Sequence, residues 1–285
     1  MRGPAFIAAL LAISLLPTSA LADGGPSPGV AIGWDGVLAR EAGVRYVALP
    51  ARGSTVVAAV RVRDGRVLRF RPIRGGYGVP LVTWDGTTGG LSPDERSLAL
   101  ASLASVGARL PTVSRFAVLD TRTLRIRHTI TLPGAFSFDA LSPDGETLYL
   151  IQHLSERNLL QYVVRAYDLD GGFLWPDRIA DTRTRATSMQ GSPIARAQTR
   201  DGAWVYTLYA GPRYSFIHAL DTRRRAAFCI DLPWSTREQA LWRLELALTP
   251  DESRLLLRAP GGRRAAVVET DTFALRAAST PKGRV

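Results

Sequence analysis

Two short turn signals recur five times, in the same order, along this 285-residue chain. The first lies between two short hydrophobic runs, at residues 41–43, 92–95, 142–145, 199–202 and 249–252. The second follows a run of alternating apolar residues, at 64–65, 120–121, 168–171, 221–222 and 271–272. Self-similarity at a period of about 50 residues, with several short strands in each unit, indicates a β-propeller.

The third copy shows most clearly how one unit builds a sheet. Residues 136–141 and 147–151 read as two strands joined by Ser-Pro-Asp-Gly, in which Pro143 presets the turn and Gly145 accepts a positive φ. Residues 162–167 alternate as a third strand, and the turn at 168–172 leads into a fourth at 173–175. The unit therefore predicts one four-stranded antiparallel blade.

The other units fit the same order and predict a single all-β propeller domain over residues 23–285. The five expected blades span residues 37–73, 87–132, 136–179, 194–232 and 244–278, and the stretch at 31–34 is expected to help closure. Six blades and a two-sheet sandwich are the alternatives, but a sandwich gives no reason for both signals to keep their order. A capping-box pattern at Ser235 and Glu238 predicts at most two helical turns inside a connection.

Two of these segments resemble a known family of repeats. The sequences LSPDGETLYL at 141–150 and VLDTRTLRI at 118–126 resemble the bacterial YVTN-type β-propeller repeats. The resemblance spans about residues 37–280 and implies the propeller fold, while such propellers serve as adhesins, scaffolds, enzymes and envelope binding proteins. The chain departs from the pattern in its first unit, which lacks Pro-Asp, at Arg200, and in having no intact YVTN tetrapeptide (205–208 is nearest).

The first 22 residues have the pattern of a secretory signal. Arg2 supplies the positive start, residues 6–16 are apolar, and Ala20 and Ala22 form a small-x-small cleavage site. The apolar run is too short to span a bilayer. We therefore expect export to the cell envelope or the extracellular space, with no transmembrane segment after cleavage. Cys229 is the only cysteine, so no internal disulfide forms, and its apolar neighbours predict a buried, inert thiol.

The formal net charge is +11, and nearly all of the positive charge is arginine because Lys282 is the only lysine. A chain this basic is attracted to polyanions, more weakly as salt rises. For an exported protein the nearest polyanions are envelope polymers and phospholipid headgroups. No nucleic-acid-binding motif accompanies the charge, so nucleic acid is not an expected partner.

The lengths of the connections predict where a ligand binds. The turns between first and second and between third and fourth strands are expected to be uniformly tight, whereas the long loops (74–85, 102–114, 153–161, 180–193 and 210–215) fall at the opposite end of the blades. Binding residues concentrate on loops of a rigid scaffold. The candidate ligand-binding residues are Arg74, Tyr77, Asp85, Arg109, Asp139, Arg157, Arg183, Arg213 and Tyr214.

Arginine suits carboxylate or phosphate groups, and aromatic faces suit sugars, so this end predicts an anionic ligand or an acidic protein partner. The alternative interpretation is that these arginines only solvate surface loops. Asp139 lies inside a first strand: it lines a central funnel, or it is a buried carboxylate that accepts hydrogen bonds from a neighbouring turn.

The sequence contains few residues arranged for catalysis. His128, His153 and His218 are dispersed, and the calcium-loop-like start at Asp168 lacks its closing glutamate, since position 179 is isoleucine. No nucleophile elbow, phosphate loop or dinucleotide fingerprint occurs. We therefore expect a monomeric binding or scaffold protein with no cofactor, no metal and no catalytic residue. The alternative is a metal-assisted lactonase or hydrolase with Asp85, Asp139, His153 and Glu245 as ligands.

Overall fold

The computed structural model describes residues 32–103, 110–158, 160–181, 183 and 188–276. The predicted signal at 1–22 lies outside the described residues. Within the described part, no helix has the length and apolar character needed to cross a bilayer.

The described strands form five antiparallel sheets, each built from strands that follow one another in the chain. We call these sheets blades 1 to 5. Their strands are, in blade 1, β1 (Val37–Ala39), β2 (Val44–Ala51), β3 (Ser54–Arg61) and β4 (Val67–Arg74); in blade 2, β5 (Tyr77–Gly78), β6 (Ser97–Ser102), β7 (Val113–Asp120) and β8 (Ile126–Pro133); in blade 3, β9 (Phe136–Leu141), β10 (Thr147–His153), β11 (Gln161–Asp168), β12 (Phe173–Leu174) and the added β13 (Met189–Gln190); in blade 4, β14 (Ser192–Gln198), β15 (Trp204–Ala210), β16 (Tyr214–Asp221) and β17 (Ala226–Ser235); and in blade 5, β18 (Glu245–Leu248), β19 (Arg254–Arg258), β20 (Arg264–Glu269) and β21 (Leu275–Arg276).

The predicted all-β, repeat-built architecture is confirmed. In blade 3 the first predicted strand coincides with β9, and the second and third lie within β10 and β11. The predicted helical stretch is a single short 3-10 helix, η1 (Gln239–Arg243), and a second, η2 (Pro260–Gly262), lies in the β19–β20 connection.

Hydrogen bonds explain why the two turn signals recur together. The Thr121 hydroxyl donates to the Glu95 carbonyl at 2.7 Å, which joins the second turn of blade 2 to the first. Thr222 makes the same bond to the Gly202 carbonyl in blade 4, at 2.5 Å, and Thr270 bonds to Glu252 in blade 5, at 2.8 Å. The threonine of the fifth copy of the second signal is therefore Thr270 and not the predicted Thr272. Both signals lie at one end of each blade.

The first turn of every blade contains one residue in the left-handed region. These residues are Gly43, Glu95, Gly145, Gly202 and Glu252, with φ between 58° and 73°. Glutamate at a positive φ carries a strain that glycine does not. In both cases its carboxylate reaches the first turn of the preceding blade. Glu95 accepts the backbone N–H groups of Glu41 and Ala42 at 3.0 Å each, and Glu252 accepts that of Arg200 at 2.7 Å.

Substitutions at Glu95 are expected to separate the strain from the inter-blade bonds. Glu95→Ala keeps the strained backbone and loses both bonds, so it should lower the free energy of unfolding by about 1–2 kcal/mol. Glu95→Gly loses the same bonds but relieves the strain, so its loss should be smaller. Urea unfolding of both variants shows which of them has the higher free energy of unfolding. A glycine variant no more stable than the alanine variant would contradict the assignment.

The hydrophobic core lies between blades and not inside a single layer. Four described clusters join consecutive blades. Blades 1 and 2 share a cluster that contains Val57 and Leu98, and blades 4 and 5 share one that contains Leu208 and Leu255. Among the described residues, each blade therefore buries at least one face against a neighbour, as repeat architectures do.

Blade 2 departs from the prediction at its first strand. The connection from blade 1 is short because Gly75, at φ 101°, turns the chain directly into β5. The extra residues follow β5 instead and form a hairpin, in which Val82 N–H donates to Thr87 O at 2.9 Å and Gly89 N–H to Pro80 O at 2.8 Å. We call residues 79–90 the axial hairpin. The expected long loop at 74–85 is therefore wrong, whereas the first turn of blade 2, at 92–95, is tight as predicted: Glu95 N–H donates to Ser92 O at 2.9 Å.

The axial hairpin reaches across the space between the inner strands. At its tip, the N–H groups of Trp84 and Asp85 donate to the carbonyls of Pro193 and Ile194 in blade 4, at 3.0 Å each. Trp84 also meets Trp242 edge-on at a centroid distance of 6.1 Å. The hairpin thus links blade 2 to blade 4 and to the connection before blade 5. Near the N-terminus, Ile32 forms a bridge with Pro80 of the hairpin, while Ala31 lies outside the described residues.

Candidate functional site

The ends of the blades form two surfaces. We call the end with the first–second and third–fourth turns the tight-turn rim, and the end with the second–third and blade-to-blade connections the long-loop rim. Backbone bonds tie connections together along the long-loop rim. Gly75 N–H donates to Gly53 O at 3.0 Å, and Gly134 N–H to Thr112 O at 2.7 Å.

The long-loop rim carries many exposed arginines and few carboxylates. Its exposed arginines among the described residues include Arg52, Arg74, Arg157, Arg213, Arg237, Arg243, Arg258 and Arg264. The carboxylates in the described long-loop connections and strand ends are Glu156, Asp177, Asp181, Glu238 and Glu245. Of the described carboxylates, none lies within 4.0 Å of the guanidinium of Arg74, Arg157 or Arg213.

The tight-turn rim carries carboxylates together with its arginines, and several of these carboxylates form ion pairs. Asp64 pairs with Arg61 at 3.1 Å, and Asp201 pairs with Arg223 at 2.9 Å. Glu269 lies 3.5 Å from Arg254. Carboxylates therefore accompany the arginines at the tight-turn rim, whereas the long-loop rim has fewer of them among the described residues.

Four of the sequence-predicted residues lie exposed at the long-loop rim: Arg74, Arg157, Arg213 and Tyr214, the last with 64% of its surface accessible. Arg109 lies outside the described residues. The connections place these four side chains on one surface, which is the surface that the loop lengths predicted.

Three other predicted residues serve the fold. Tyr77 is buried between blades 1 and 2, and burial raises the pKa of its hydroxyl. The Asp85 carboxylate holds the tip of the axial hairpin, since one of its oxygens accepts the Thr83 hydroxyl at 2.6 Å and the Thr87 N–H at 2.9 Å. Arg183 donates to Asp181 at 2.7 Å and to the Cys229 carbonyl at 2.8 Å.

The Asp181 pair also lies beside the half-buried Cys229. Burial by itself would raise the pKa of Asp181, but hydrogen bonds from Arg183 and from the Cys229 N–H outweigh it and lower the pKa to about 2. Burial, with this carboxylate nearby, raises the pKa of the Cys229 thiol to about 12. The thiol is therefore protonated at neutral pH, but Cys229 is half-buried and not fully buried as its apolar neighbours predicted.

Asp139, the ninth predicted residue, forms a buried ion pair. It lies on β9 at a bulge and is 2% exposed. The guanidinium of Arg196, on β14 of blade 4, donates both to its carboxylate and to its carbonyl. Arg196 also donates to the Thr207 hydroxyl at 3.0 Å. The hydrogen-bond donor to Asp139 therefore comes from a neighbouring inner strand and not from a turn. The sequence analysis did not identify Arg196, although a single arginine inside an apolar strand could have pointed to it.

His218 lies close to this pair in the interior of blade 4. It is 2% exposed, and its Nε2 has no hydrogen-bond partner among the described residues. Its ring meets the Tyr209 ring edge-on at a centroid distance of 6.3 Å. Burial is the main cause that lowers the pKa of His218, to about 4.

The residues named above as eligible metal ligands do not converge. Asp139 is paired with Arg196, His153 lies 3.1 Å from the Ser137 hydroxyl, and Asp85 holds the hairpin tip. In the part of the chain that the structure describes, no three His, Cys, Asp or Glu residues are grouped for a metal ion.

Three described cavities lie at the tight-turn rim. The first, of about 640 Å³, is bounded by the inner-strand ends of blades 1 and 4 and by the axial hairpin, with Arg40 and Arg200 among its lining residues. The second, of about 450 Å³, lies between blades 3 and 4 beside Tyr149. The third, of about 440 Å³, lies between blades 4 and 5 beside Trp204 and Tyr206.

Comparison with known proteins supports the fold. No protein-family model and no curated protein matches the sequence. Among solved structures, a dihydro-heme d1 dehydrogenase, NirN, in complex with DHE is 15% identical, with a TM-score of 0.50 over 91% of this chain and 48% of that one. The chain thus spans about half of that structure's length.

Two further structures show weaker similarity. TolB from Acinetobacter baumannii is 13% identical, with a TM-score of 0.45 over 82% of this chain and 51% of that one. The β-propeller domain of Cps50 (Swd1) from Myceliophteria thermophila is 13% identical, with a TM-score of 0.46 over 88% of this chain and 71% of that one. The five sheets, the cores between them and the similarity to NirN together make this chain an all-β protein of β-propeller type.

Proposed function

We propose that the protein is an exported binding or scaffold propeller that holds an anionic envelope ligand, or an acidic partner surface, on its long-loop rim. The observation that carries the proposal is the separation of charge between the two rims. The proposal also includes a secretory signal at 1–22 and a monomeric single domain over 23–285. It further includes five blades closed into a ring and a relationship to YVTN-type repeats.

The chemistry of the long-loop rim suits an extended polyanion. A guanidinium group offers paired donors to phosphate or carboxylate oxygens and stays charged at any physiological pH. Arg74, Arg157 and Arg213 come from three different blades, so they sample a broad surface and not a single cleft. A surface of this kind attracts polyanions with an affinity that falls as salt rises. Tyr214 adds an exposed aromatic face beside Arg213.

Charge reversal on the two rims tests the proposal with matched variants. Arg157→Glu with Arg213→Glu acts on the long-loop rim, and Arg40→Glu with Arg96→Glu makes the same change in net charge on the tight-turn rim. The probe is immobilised polyphosphate, with binding of the mature chain measured between about 50 and 300 mM salt. We expect the first variant to bind at least about 10-fold more weakly and the second to stay within about 3-fold of wild type.

Two results would contradict the proposal. Equal weakening in both variants would mean that only net charge matters, and absence of salt-dependent binding by the wild type would remove the anionic ligand. If the wild type binds an acidic protein surface but not polyphosphate, the ligand is an acidic partner protein and not an anionic polymer.

A further inference from the structure

The cavity between blades 4 and 5 combines three features: an unpaired hydroxyl, an excess of carboxylates and an aromatic wall. It has a volume of about 440 Å³ and lies at the tight-turn rim, on the opposite side from the arginines of the long-loop rim. Its lining includes two aromatic residues, Trp204 and Tyr206, and four carboxylates. These carboxylates are Asp201, Asp221, Glu252 and Asp271.

The first feature is the Tyr206 hydroxyl. Tyr206 is 1% exposed, and its hydroxyl has no hydrogen-bond partner among the described residues. A buried polar group left unpaired is costly and is seldom retained without a reason. Glu252 and Asp221 are the charged groups that act on this hydroxyl, so its polar end faces the acidic lining. Burial raises the pKa of Tyr206, which keeps the phenol protonated and neutral.

The second feature is an excess of negative charge in a strongly basic protein. Only two arginines line the cavity among the described residues, Arg223 and Arg224. Arg223 pairs with Asp201 at 2.9 Å, and Arg224 lies 3.7 Å from Asp221. The Asp271 carboxylate has no ion-pair partner among the described residues.

Glu252 is only partly satisfied. One of its oxygens accepts the Arg200 N–H at 2.7 Å, and the Arg200 guanidinium, outside the lining, lies 3.9 Å away. The second oxygen of Glu252 accepts no hydrogen bond from any described residue.

The third feature is an aromatic wall. The Trp204 and Tyr206 rings lie nearly parallel, 14° apart in orientation, with centroids separated by 6.1 Å. Phe273 of blade 5 supports Trp204 edge-on at 5.3 Å. Aromatic faces attract cations, and the attraction is strongest for tryptophan. Carboxylates combined with an aromatic wall suit an alkylammonium group, whose charge they neutralise and whose carbon chain they cover.

We propose that this cavity binds a primary alkylammonium group, supplied by a free diamine or by a lysine side chain of a partner. The ammonium N–H groups donate to the free oxygen of Glu252 and to Asp271, and the Tyr206 hydroxyl gains its missing partner. This inference is independent of the anionic ligand on the long-loop rim, since the sign of the charge and the face of the molecule both differ.

Calorimetric titration of the mature chain with cadaverine tests the proposal. We expect saturable binding that Tyr206→Phe weakens at least about 10-fold, with no loss of melting temperature, because the variant removes an unpaired hydroxyl. Tyr149→Phe is the matched control. Tyr149 lies in the corresponding cavity between blades 3 and 4, but its hydroxyl already donates to the Thr222 carbonyl at 2.6 Å. The control should melt at a lower temperature and bind cadaverine as wild type does.

Two further probes identify the source of the ammonium group and the role of charge. Acetyl-Gly-Lys-Gly-amide binding more tightly than cadaverine indicates a lysine of a partner, and the reverse indicates a free diamine. The neutral 1,5-pentanediol should not bind. Equal binding of the diol, unchanged cadaverine affinity in Tyr206→Phe, or no binding of cadaverine and peptide at 10 mM (about the weakest specific range) would each overturn the proposal.

Discussion

Replacing Asp139 by alanine is expected to lower the free energy of unfolding by about 3–5 kcal/mol, one of the two largest effects anticipated in this molecule. The Arg196 side chain is only 8% exposed, so the substitution leaves a guanidinium buried without its counter-charge. The Asp139 carbonyl still accepts one bond from Arg196, but it carries no charge. Urea unfolding of the mature chain, followed by tryptophan fluorescence, gives the difference.

A double variant separates the ion pair from simple packing. Asp139→Leu with Arg196→Met removes both charges and fills similar space, so it should recover most of the stability lost in the single variant. Asp64→Ala is the surface control. Its pair with Arg61 is exposed and screened by solvent, so Asp64→Ala should leave the unfolding midpoint nearly unchanged. A loss of less than about 1 kcal/mol for Asp139→Ala would mean that water reaches the pair in solution.

The pair matters because the blade junctions are held by different means. Junctions 1–2 and 4–5 use the carboxylates of Glu95 and Glu252 at the tight-turn rim. At the equivalent turn position blades 3 and 4 have Gly145 and Gly202, which cannot make that bond. The junction between blades 3 and 4 is joined instead by the ion pair and by the Tyr149 hydroxyl. We therefore expect it to depend most on interior polar contacts.

The repeat could be predicted from sequence because its cause is local. Proline at the second turn position marks the first turns of blades 2, 3 and 5, and glycine at the positive-φ position marks those of blades 1, 3 and 4. The threonine of the second signal bonds within its own blade, so the spacing between the signals is set inside one unit. Blade order and most strand bounds follow from these contacts alone.

The axial hairpin could not be predicted because its partners are distant in sequence. The first arm of the hairpin pairs with the second, and the tip is held by carbonyls of blade 4, more than a hundred residues later. Nothing in residues 79–90 distinguishes an insertion within an inner strand from a loop between blades. The same limit applies to Arg196: the sequence shows an arginine in an apolar strand, but only the packing of two blades places it on Asp139.

The candidate surface was partly accessible to sequence reasoning. Loop lengths place Arg74, Arg157 and Arg213 at one rim, since antiparallel strands alternate direction whatever their packing. Loop lengths do not show which polar residues are consumed by the fold. By loop position alone, Tyr77, Asp85 and Arg183 cannot be distinguished from the exposed arginines. Only their burial and hydrogen bonds show that these three residues serve the fold.

The second large effect is a loss of stability as the pH falls from about 6.5 to about 4. Burial lowers the pKa of His218 to about 4 in the folded protein, whereas an unfolded histidine has a pKa of about 6.5. Above pH 6.5 the imidazole is neutral in both states. Between pH 6.5 and pH 4 the imidazole is protonated in the unfolded chain but not in the folded chain. The free energy of unfolding therefore decreases by up to about 3 kcal/mol as the pH falls through this range.

Two variants and one control assign this pH dependence to His218. The carboxylates with a lowered pKa, such as Asp181 at about 2, begin to lose their contribution near pH 5 but lose most of it below about pH 4, so they add little to a fall measured at pH 4.5. Urea unfolding at pH 7.0 and 4.5 should show a fall of about 2–3 kcal/mol in wild type and in the control His128→Gln. His218→Gln and His218→Phe should lose most of that fall, whatever their stability at pH 7.0. A fall of the same size in both would place the responsible group elsewhere, and would mean that water or another donor satisfies the His218 ring in solution.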